Sequence, residues 1–340
     1  MRTLVLERPG SWRMAETAEP ASPGAGEAVV RVRRVGVCGT DIHAFKGEQP
    51  FFEYPRILGH ELGVEIEAVG EGVTGVSVGD RCAVEPYLNC GVCRVCRLGR
   101  TNCCVELKCL GVHTDGGMRD RIVLPASKLH VSRSLGLDAL ALVETLGIGK
   151  HAVSRAAVGE GESVAVVGLG PIGLTAALFA KLAGADVVGL DVSAERAQAA
   201  ERLLGIRTLV IDPSAPAAEQ WQAKFGELPF KVLDATGHRG SMQGSFGLTG
   251  QGGTLTFVGL LLGEIGFDDP EFHRKEMTLL ASRNSVAADF REIIEHLEAG
   301  RIDVEAWVTH RASVAGFVDV FEDWLRPGAG LLKGVVSFDD

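Results

Sequence analysis

The chain has 340 residues and a formal net charge of -10, with 46% hydrophobic and 23% charged residues. This length suits two domains of ordinary size, and the hydrophobic content allows a packed core and argues against disorder. The acidic balance excludes nucleic acid as an expected partner and disfavours anionic membrane surfaces, because both need a basic protein surface.

The N-terminus shows no export signal. Residues 1–6 are followed at once by Glu7-Arg8-Pro9, so no apolar stretch of signal-peptide length is visible. Eight cysteines in such a chain favour metal ligation over disulfides. We therefore expect a cytoplasmic protein.

Residues 1–150 are predicted to form a β-rich domain. Residues 28–35 and 63–70 alternate between apolar and polar side chains, which is typical of half-buried strands, and glycine-rich turns separate such segments. Within this domain, Cys38, His60 and Glu61 are candidates for an open metal site, because a thiolate, an imidazole and a carboxylate suit zinc. Taken singly, each would more often be an ordinary buried or surface residue.

Glu144 strengthens this interpretation. It lies in the apolar stretch 139–146, where an unpaired buried carboxylate would be costly, and a metal ion is one partner that removes the cost. The alternative is an exposed or salt-bridged glutamate on a helix.

A second metal pattern lies in a lobe covering about residues 88–110. Its four cysteines fit a closed, tetrahedral, structural zinc site: Cys90, Cys93, Cys96 and Cys104. Cys103 adjoins Cys104, so either could be the fourth ligand. An iron–sulfur cluster is a rival, but bacterial ferredoxin motifs continue with x3-Cys-Pro and this chain does not. Reduced cysteines without metal are the other alternative.

Residues 151–285 show alternating strands and helices, the rhythm of a doubly wound parallel sheet. The predicted strands cover residues 163–168, 186–191, 208–211, 231–235, 254–258 and 277–281, and the predicted helices cover 171–184 and 194–204. The uncharged run 163–180 is also a formal transmembrane candidate. Its glycines and proline favour a strand, a tight turn and a buried helix instead.

A glycine fingerprint follows the first of these strands and opens the first helix, the context that dinucleotide binding requires. The predicted nucleotide-binding residues are Gly168, Gly170, Pro171, Ile172, Gly173, Asp191 and Arg196. Asp191 ends the next strand, where an acid accepts hydrogen bonds from a ribose diol and repels a 2′-phosphate. NAD is therefore predicted over NADP. The alternative is a glycine turn in an α/β fold that binds no nucleotide.

Residues 286–340 are too few for a domain of their own. They contain a predicted helix at 289–299 and a strand-like segment at 334–338, and should pack onto a domain already built.

Together the motifs resemble medium-chain zinc-dependent alcohol/polyol dehydrogenases over essentially the full chain. The residues that carry the resemblance are 36–43, 59–61, the four-cysteine lobe and 168–173. The resemblance implies an α/β protein with a GroES-like, β-rich catalytic domain and a Rossmann domain with a doubly wound parallel sheet. The catalytic domain would be split, with residues 286–340 returning to it. It also implies an NAD-dependent oxidoreductase with two zinc ions per subunit, assembled as a tetramer or dimer.

The resemblance also assigns roles. Cys38 and His60 match catalytic zinc ligands. Glu144 stands where simple alcohol dehydrogenases have a second cysteine, which places the chain beside sorbitol and threonine dehydrogenases. In that branch Glu61 and the Glu144-type residue share the metal, and which of them binds directly here stays open. Asp41 matches an acid that orients the histidine ligand. Thr40 and His43 match a proton relay.

Within the family, residues 49–56, 269–276 and 282–284 resemble a bacterial branch acting on sugar acids, such as galactonate 5-dehydrogenases. A sugar acid needs a cation for its carboxylate, and Arg56, His113 and Arg283 are the candidates for substrate contacts. For each arginine the alternative is a solvated surface charge. Two other functions stay open: a dehydrogenase of simple alcohols, aldehydes or threonine with the same machinery, and a non-catalytic sensor that binds zinc and nucleotide. The relay pair argues against the sensor.

Overall fold

The structure, a computed structural model, describes residues 1–49 and 52–339. It divides into two compact units, one formed by Met1–Glu144 with Val286–Asp340 and the other by Thr145–Ser285. The sequence-based boundary at residue 150 and this division at residue 144 both fall within one helix, Leu137–Arg155.

The first 155 residues contain ten strands and three helices in the described part. The strands are β1 (Arg2–Arg8), β2 (Ser11–Glu16), β3 (Glu27–Val37), β4 (Arg56–Ile57), β5 (Glu61–Val69), β6 (Arg81–Val84), β7 (Tyr87–Leu88), β8 (Lys108–Cys109), β9 (Arg121–Pro125) and β10 (Leu129–Ser132). The helices are α1 (Gly39–Lys46), α2 (Arg94–Arg97) and α3 (Leu137–Arg155), with short 3-10 turns at Thr101–Cys103 and Ala126–Lys128.

The second unit alternates strands with helices. Its strands are β11 (Ser163–Val167), β12 (Asp186–Asp191), β13 (Arg207–Val210), β14 (Lys231–Asp234), β15 (Thr254–Phe257) and β16 (Thr278–Ala281). Its helices are α4 (Pro171–Leu182), α5 (Ala194–Leu204), α6 (Ala217–Phe225), α7 (Arg239–Leu248) and α8 (Asp269–Arg274).

The C-terminal segment completes the first unit. It contains α9 (Ala287–Glu298), a 3-10 turn at Glu305–Trp307, β17 (Val308–Ser313), α10 (Val314–Trp324) and β18 (Lys333–Ser337). Its last strand, β18, pairs antiparallel with β3, so the end of the chain lies beside the strand that leads into Cys38.

The first unit is built on a seven-stranded sheet with the order β10-β6-β5-β3-β18-β17, with β9 also pairing with β3. A three-stranded sheet, β2-β1-β4, and the two-stranded β7-β8 ribbon complete it. Its core combines aliphatic strand residues with the apolar face of α10, where Phe317, Phe321 and Trp324 are buried. This spacing of three and four residues is that of one helix face.

The second unit is a six-stranded parallel sheet with the order β13-β12-β11-β14-β15-β16. This is the doubly wound dinucleotide-binding order, and the sheet prediction is confirmed. β12 and α5 have the predicted bounds, and the other predicted strands of this unit differ by one residue at one or both ends.

The transmembrane alternative for residues 163–180 is wrong. The segment divides into β11, a glycine turn and α4, and the φ of 86° at Gly168 marks the turn. Within residues 1–49 and 52–339, no helix is both long enough and apolar enough to cross a membrane.

Candidate metal centres and nucleotide-binding turn

The first cluster contains Cys38, His60 and Glu61. Cys38 follows β3 and caps α1, while His60 and Glu61 stand at the start of β5, and β3 and β5 pair so that Gly36 faces Glu61. One ligand atom from each residue lies within 4.8 Å of the others. A methyl group at Gly36 would overlap the Glu61 carboxylate, so glycine at this position makes room for it. The donor set and its burial fit a zinc ion.

Asp41 supports the imidazole of this cluster. Its Oδ2 accepts a hydrogen bond from Cys38 N at 2.9 Å, and its Oδ1 lies 3.8 Å from His60 Nδ1. Asp41 Oδ1 and His60 Nδ1 are both buried, and neither has a hydrogen-bond partner in the described part of the chain. A metal on the other imidazole nitrogen would fix His60 with Nδ1–H directed to Asp41, a usual arrangement for a histidine ligand.

Burial and neighbouring charges have opposite effects on the pKa values of Asp41 and His60. Burial raises the pKa of Asp41 above its usual range, although the charge of His60 opposes it. Burial alone would lower the pKa of His60, but Asp41 and Cys38 outweigh it and hold that pKa well above its ordinary value. The cluster therefore has a strongly negative environment that favours a cation.

Lys333 pairs with Glu61, a contact that sequence reasoning missed. Its Nζ donates to the two carboxylate oxygens at 2.6 and 2.8 Å, and both side chains are almost fully buried. Burial would lower the pKa of Lys333, but Glu61 and Cys38 raise it above its usual range. The one signal available in the sequence was a single lysine beside the apolar strand 334–338.

Glu144 lies outside the group of three ligand atoms, but it is buried and interacts electrostatically with His60. It sits in α3, and its Oε1 accepts a hydrogen bond from the Tyr87 hydroxyl. Burial raises the pKa of Glu144, and His60 acts against this. Of the two glutamates, Glu61 is the one that the structure brings into the donor group.

The four cysteines of the lobe also converge. The sulfur atoms of Cys90, Cys93, Cys96 and Cys104 lie within 4.8 Å of one another, and the Cys90–Cys104 and Cys93–Cys104 separations are 3.5 and 3.9 Å. A tetrahedral zinc–thiolate site has sulfur–sulfur separations of about 3.8 Å. Cys103 lies outside the group, with its sulfur 3.9 Å from Arg100 Nη2. The geometry therefore places Cys104 in the position of the fourth ligand.

Backbone amides favour the thiolate form of Cys93 and Cys104, whereas burial raises the pKa of Cys96 to about 11. N–H groups of Val105 and Cys96 lower the pKa of Cys93 to about 6, and the amides of Cys90 and Glu106 lower that of Cys104. A thiolate is the form that binds a metal ion.

We expect Cys93→Ser to lose one zinc equivalent and to lower the melting temperature by roughly 5–10 °C, the shift that a loss of a few kcal/mol produces. Elemental analysis and a thermal scan measure both. Cys103→Ser is the matched control and should keep its metal. Full zinc content in Cys93→Ser would contradict a metal site at this lobe.

The glycine turn joins β11 to α4. A side chain at Gly173 would overlap the carbonyl of Gly168, whereas Gly170 at the N-cap of α4 has open space beside it. Asp191 ends β12 and is buried, accepting hydrogen bonds from Leu169 N at 2.7 Å and Ser193 N at 2.8 Å. Arg196 Nη1 lies 3.9 Å from Asp191. The glycine turn, Asp191 and the N-terminus of α4 therefore form one surface that is suited to binding a dinucleotide.

Of the three substrate candidates, Arg56 and His113 lie in the first unit and Arg283 lies in the second. Arg56 already has acidic neighbours, Asp115 at 3.6 Å and Glu53 at 3.9 Å. His113 is exposed and accepts a hydrogen bond from Cys109 N at 3.0 Å. Of the segment 49–56, Pro50 and Phe51 lie outside the described residues.

The chain belongs to the zinc-binding alcohol dehydrogenase family. Residues 24–134 match the alcohol dehydrogenase GroES-like domain and residues 171–299 match the zinc-binding dehydrogenase domain. The predicted combination of a GroES-like and a Rossmann domain is confirmed, and the protein is a dehydrogenase.

Individual relatives cover nearly the whole chain. It is 42% identical to L-galactonate-5-dehydrogenase of Escherichia coli K12, over 99% of each chain. It is 31% identical to a sorbitol dehydrogenase of Halalkalibacterium halodurans, over 93% of each. A solved structure from Escherichia coli CFT073, a short chain alcohol dehydrogenase complexed with NADH, has a TM-score of 0.92 and 29% identity over 99% of each chain. The resemblance to the sugar-acid and polyol branch is therefore confirmed.

Proposed function

We propose that this chain is a zinc- and NAD-dependent dehydrogenase that oxidises a secondary hydroxyl group of a sugar acid or polyol. The observation that carries the proposal is the donor group of half-buried Cys38 and buried His60 and Glu61, whose ligand atoms lie within 4.8 Å of one another. A purely structural site is closed, with four protein ligands, whereas this group offers three and leaves a position open.

Cys38 and His60 would hold the catalytic zinc, with Glu61 and Glu144 beside it. When bound, the zinc supplies Lewis-acid polarisation of the substrate hydroxyl and NAD supplies the hydride acceptor. Asp41 fixes the orientation of His60. Lys333 holds the Glu61 carboxylate in place and offsets part of the negative charge.

The proton path begins at Thr40 and ends at His43. Both lie on α1, three residues apart and therefore on the same side of the helix. His43 is 60% exposed, and its Nδ1 is 2.9 Å from Glu48 Oε2. An exposed imidazole at this position can pass a proton to solvent, as general acid–base catalysis requires.

NAD is the proposed cofactor. We expect Asp191→Ala to reduce the enzyme's preference for NAD over NADP by roughly 10- to 100-fold, which is the contribution of hydrogen bonds to a charged group. The carboxylate repels a 2′-phosphate and its removal lifts that penalty. The ratio of kcat/KM with the two cofactors is the measurement. Glu195→Ala, an exposed acid at the start of α5, is the control. A wild-type kcat/KM that is higher with NADP than with NAD would contradict the assignment of NAD as the cofactor.

The proposed substrate is an aldonate such as galactonate or gulonate, with sorbitol-like polyols second and threonine third. The support is the 42% identity to an L-galactonate-5-dehydrogenase, together with relatives called sorbitol dehydrogenase and L-threonine 3-dehydrogenase. Arg56, His113 and Arg283 stay candidates for contacts to hydroxyls and to the carboxylate.

A steady-state panel tests this function. NADH formation at 340 nm is followed with L-galactonate, L-gulonate, sorbitol, L-threonine and ethanol. The highest kcat/KM should belong to a sugar acid. If ethanol or another primary alcohol gives the highest kcat/KM, the assignment to the sugar-acid and polyol branch is wrong, although the chain still belongs to the family.

We also propose a cytoplasmic homo-oligomer, a dimer or tetramer. None of the eight cysteines is in a disulfide bond, as expected in a reducing compartment. In the second unit β16 is the terminal strand of the parallel sheet, and Leu260, Leu262 and Leu279 are exposed. An open strand edge that carries an exposed leucine, here Leu279, is a surface that association would cover. Analytical sedimentation of the purified protein measures its oligomeric state.

A further inference from the structure

Tyr87 stands behind Glu144 in a way that the proposed chemistry has not used. Its hydroxyl donates to Glu144 Oε1, and the two residues are 2% and 5% exposed. A buried carboxylate is costly unless hydrogen bonded, so this contact holds Glu144 in its position. The hydrogen bond also occupies one of the two carboxylate oxygens.

The position of Tyr87 is itself fixed from both sides. It begins β7 and faces Cys109 in the β7–β8 ribbon, and the preceding carbonyl, of Pro86, accepts a hydrogen bond from Leu110 N at 3.0 Å. Three residues later, Cys90 N donates to the Cys104 sulfur at 3.3 Å. The short strand that carries Tyr87 therefore runs directly into the four-cysteine lobe.

The charges around Glu144 act in opposite directions. His60 and Lys333 favour its charged form, whereas Glu61, a second acid nearby, opposes it, and Lys333 is hydrogen bonded to Glu61. A neutral hydroxyl donor orients the Glu144 carboxylate without adding a charge. The planar group then cannot rotate freely, which fixes the oxygen that Tyr87 leaves unoccupied.

We propose that Tyr87 is a positioning residue that orients Glu144 for the catalytic metal and the substrate hydroxyl, and that the cysteine lobe sets the place of Tyr87. The inference rests on the proposed function in one respect, that Glu144 acts beside a catalytic zinc. It gives the lobe a second role besides stabilising the fold.

The chain contains two tyrosines, Tyr54 and Tyr87, which makes a direct spectroscopic test practical. Full-length protein labelled with 3-fluorotyrosine should give two fluorine NMR resonances, assigned with Tyr54→Phe and Tyr87→Phe. The Tyr87 resonance should move between the zinc-loaded wild type and Cys38→Ser, whereas the Tyr54 resonance should stay. An unmoved Tyr87 resonance would overturn the link to the metal.

Kinetics then separate positioning from simple stabilisation. Tyr87→Phe should lower kcat by roughly 10- to 100-fold, the worth of a hydrogen bond to a charged group, and leave the KM for NAD and the zinc content unchanged. Added to Glu144→Gln, it should lower kcat no further, because the two act as one unit. Independent, multiplicative losses, or an unchanged kcat in Tyr87→Phe, would contradict the proposal. A wild type without dehydrogenase activity would defeat the proposed function alone, since the fluorine spectra do not depend on turnover.

Discussion

Cys38→Ser is expected to abolish dehydrogenase activity, by at least about 10³-fold, and to remove one of two zinc ions while the fold stays intact. The Cys38 sulfur is one of the three donor atoms of the Cys38, His60 and Glu61 cluster, and a neutral serine hydroxyl is a much weaker zinc ligand. Without the metal, substrate polarisation is lost. Steady-state rates measure the loss of activity, elemental analysis measures the zinc content, and circular dichroism shows whether the fold is intact.

The cysteine lobe should be unaffected, because its four sulfur atoms form a separate group. Cys103→Ser is again the matched control and should keep both activity and two zinc ions. Cys38→Ser that retains two zinc ions and wild-type kcat/KM would remove Cys38 from the catalytic site.

Lys333→Met is expected to destabilise the protein by about 3–5 kcal/mol, the cost of leaving one partner of a buried ion pair without the other. Lys333 Nζ contacts both Glu61 oxygens and also donates to Val37 O at 3.3 Å. The variant would lose the tie between β18 and the strand that ends beside Cys38. Urea unfolding in metal-free and zinc-loaded protein measures the effect, which should be smaller when zinc shares the Glu61 charge.

A double variant tests the pairing itself. Glu61→Gln with Lys333→Met removes both charges and should recover part of the lost stability, because no uncompensated buried charge remains. Lys108→Met, at an exposed lysine of β8, should change the free energy of unfolding by no more than about 0.5 kcal/mol. A change of that small size in Lys333→Met would show that the pair contributes little.

Much of the second unit was predictable because buried parallel strands are short apolar runs between charged residues. Asp186–Asp191 has the predicted bounds for this reason. Helix Ala194–Leu204 also has the predicted bounds, and it is capped by Ser193 and by Gly205. Helix α7 was not predicted. It contains glycines at 240, 244 and 247, which have low helix propensity. Packing against α6 and the sheet, and hydrogen bonds from Ser241 and Ser245 to Asp234, stabilise it. Helix α10 was overlooked although its apolar spacing is helical.

The site was predictable where ligand spacing is local. Four cysteines within fifteen residues, or His60 next to Glu61, can be read directly from the chain. The contacts Lys333–Glu61 and Tyr87–Glu144 join residues 272 and 57 positions apart. They depend on β18 pairing with β3 and on the placement of β7, which no local pattern specifies. The choice of Cys104 over Cys103 likewise needed three-dimensional placement.

The measurement that tests the central claim most directly combines zinc content with turnover in one preparation. Wild type and Cys38→Ser are analysed for zinc, and each is assayed at 340 nm with NAD and L-galactonate. Two zinc ions and NADH formation are predicted for the wild type, with one zinc ion and no NADH formation for Cys38→Ser. A wild type that turns over equally well after both zinc ions are removed would contradict a zinc-dependent dehydrogenase.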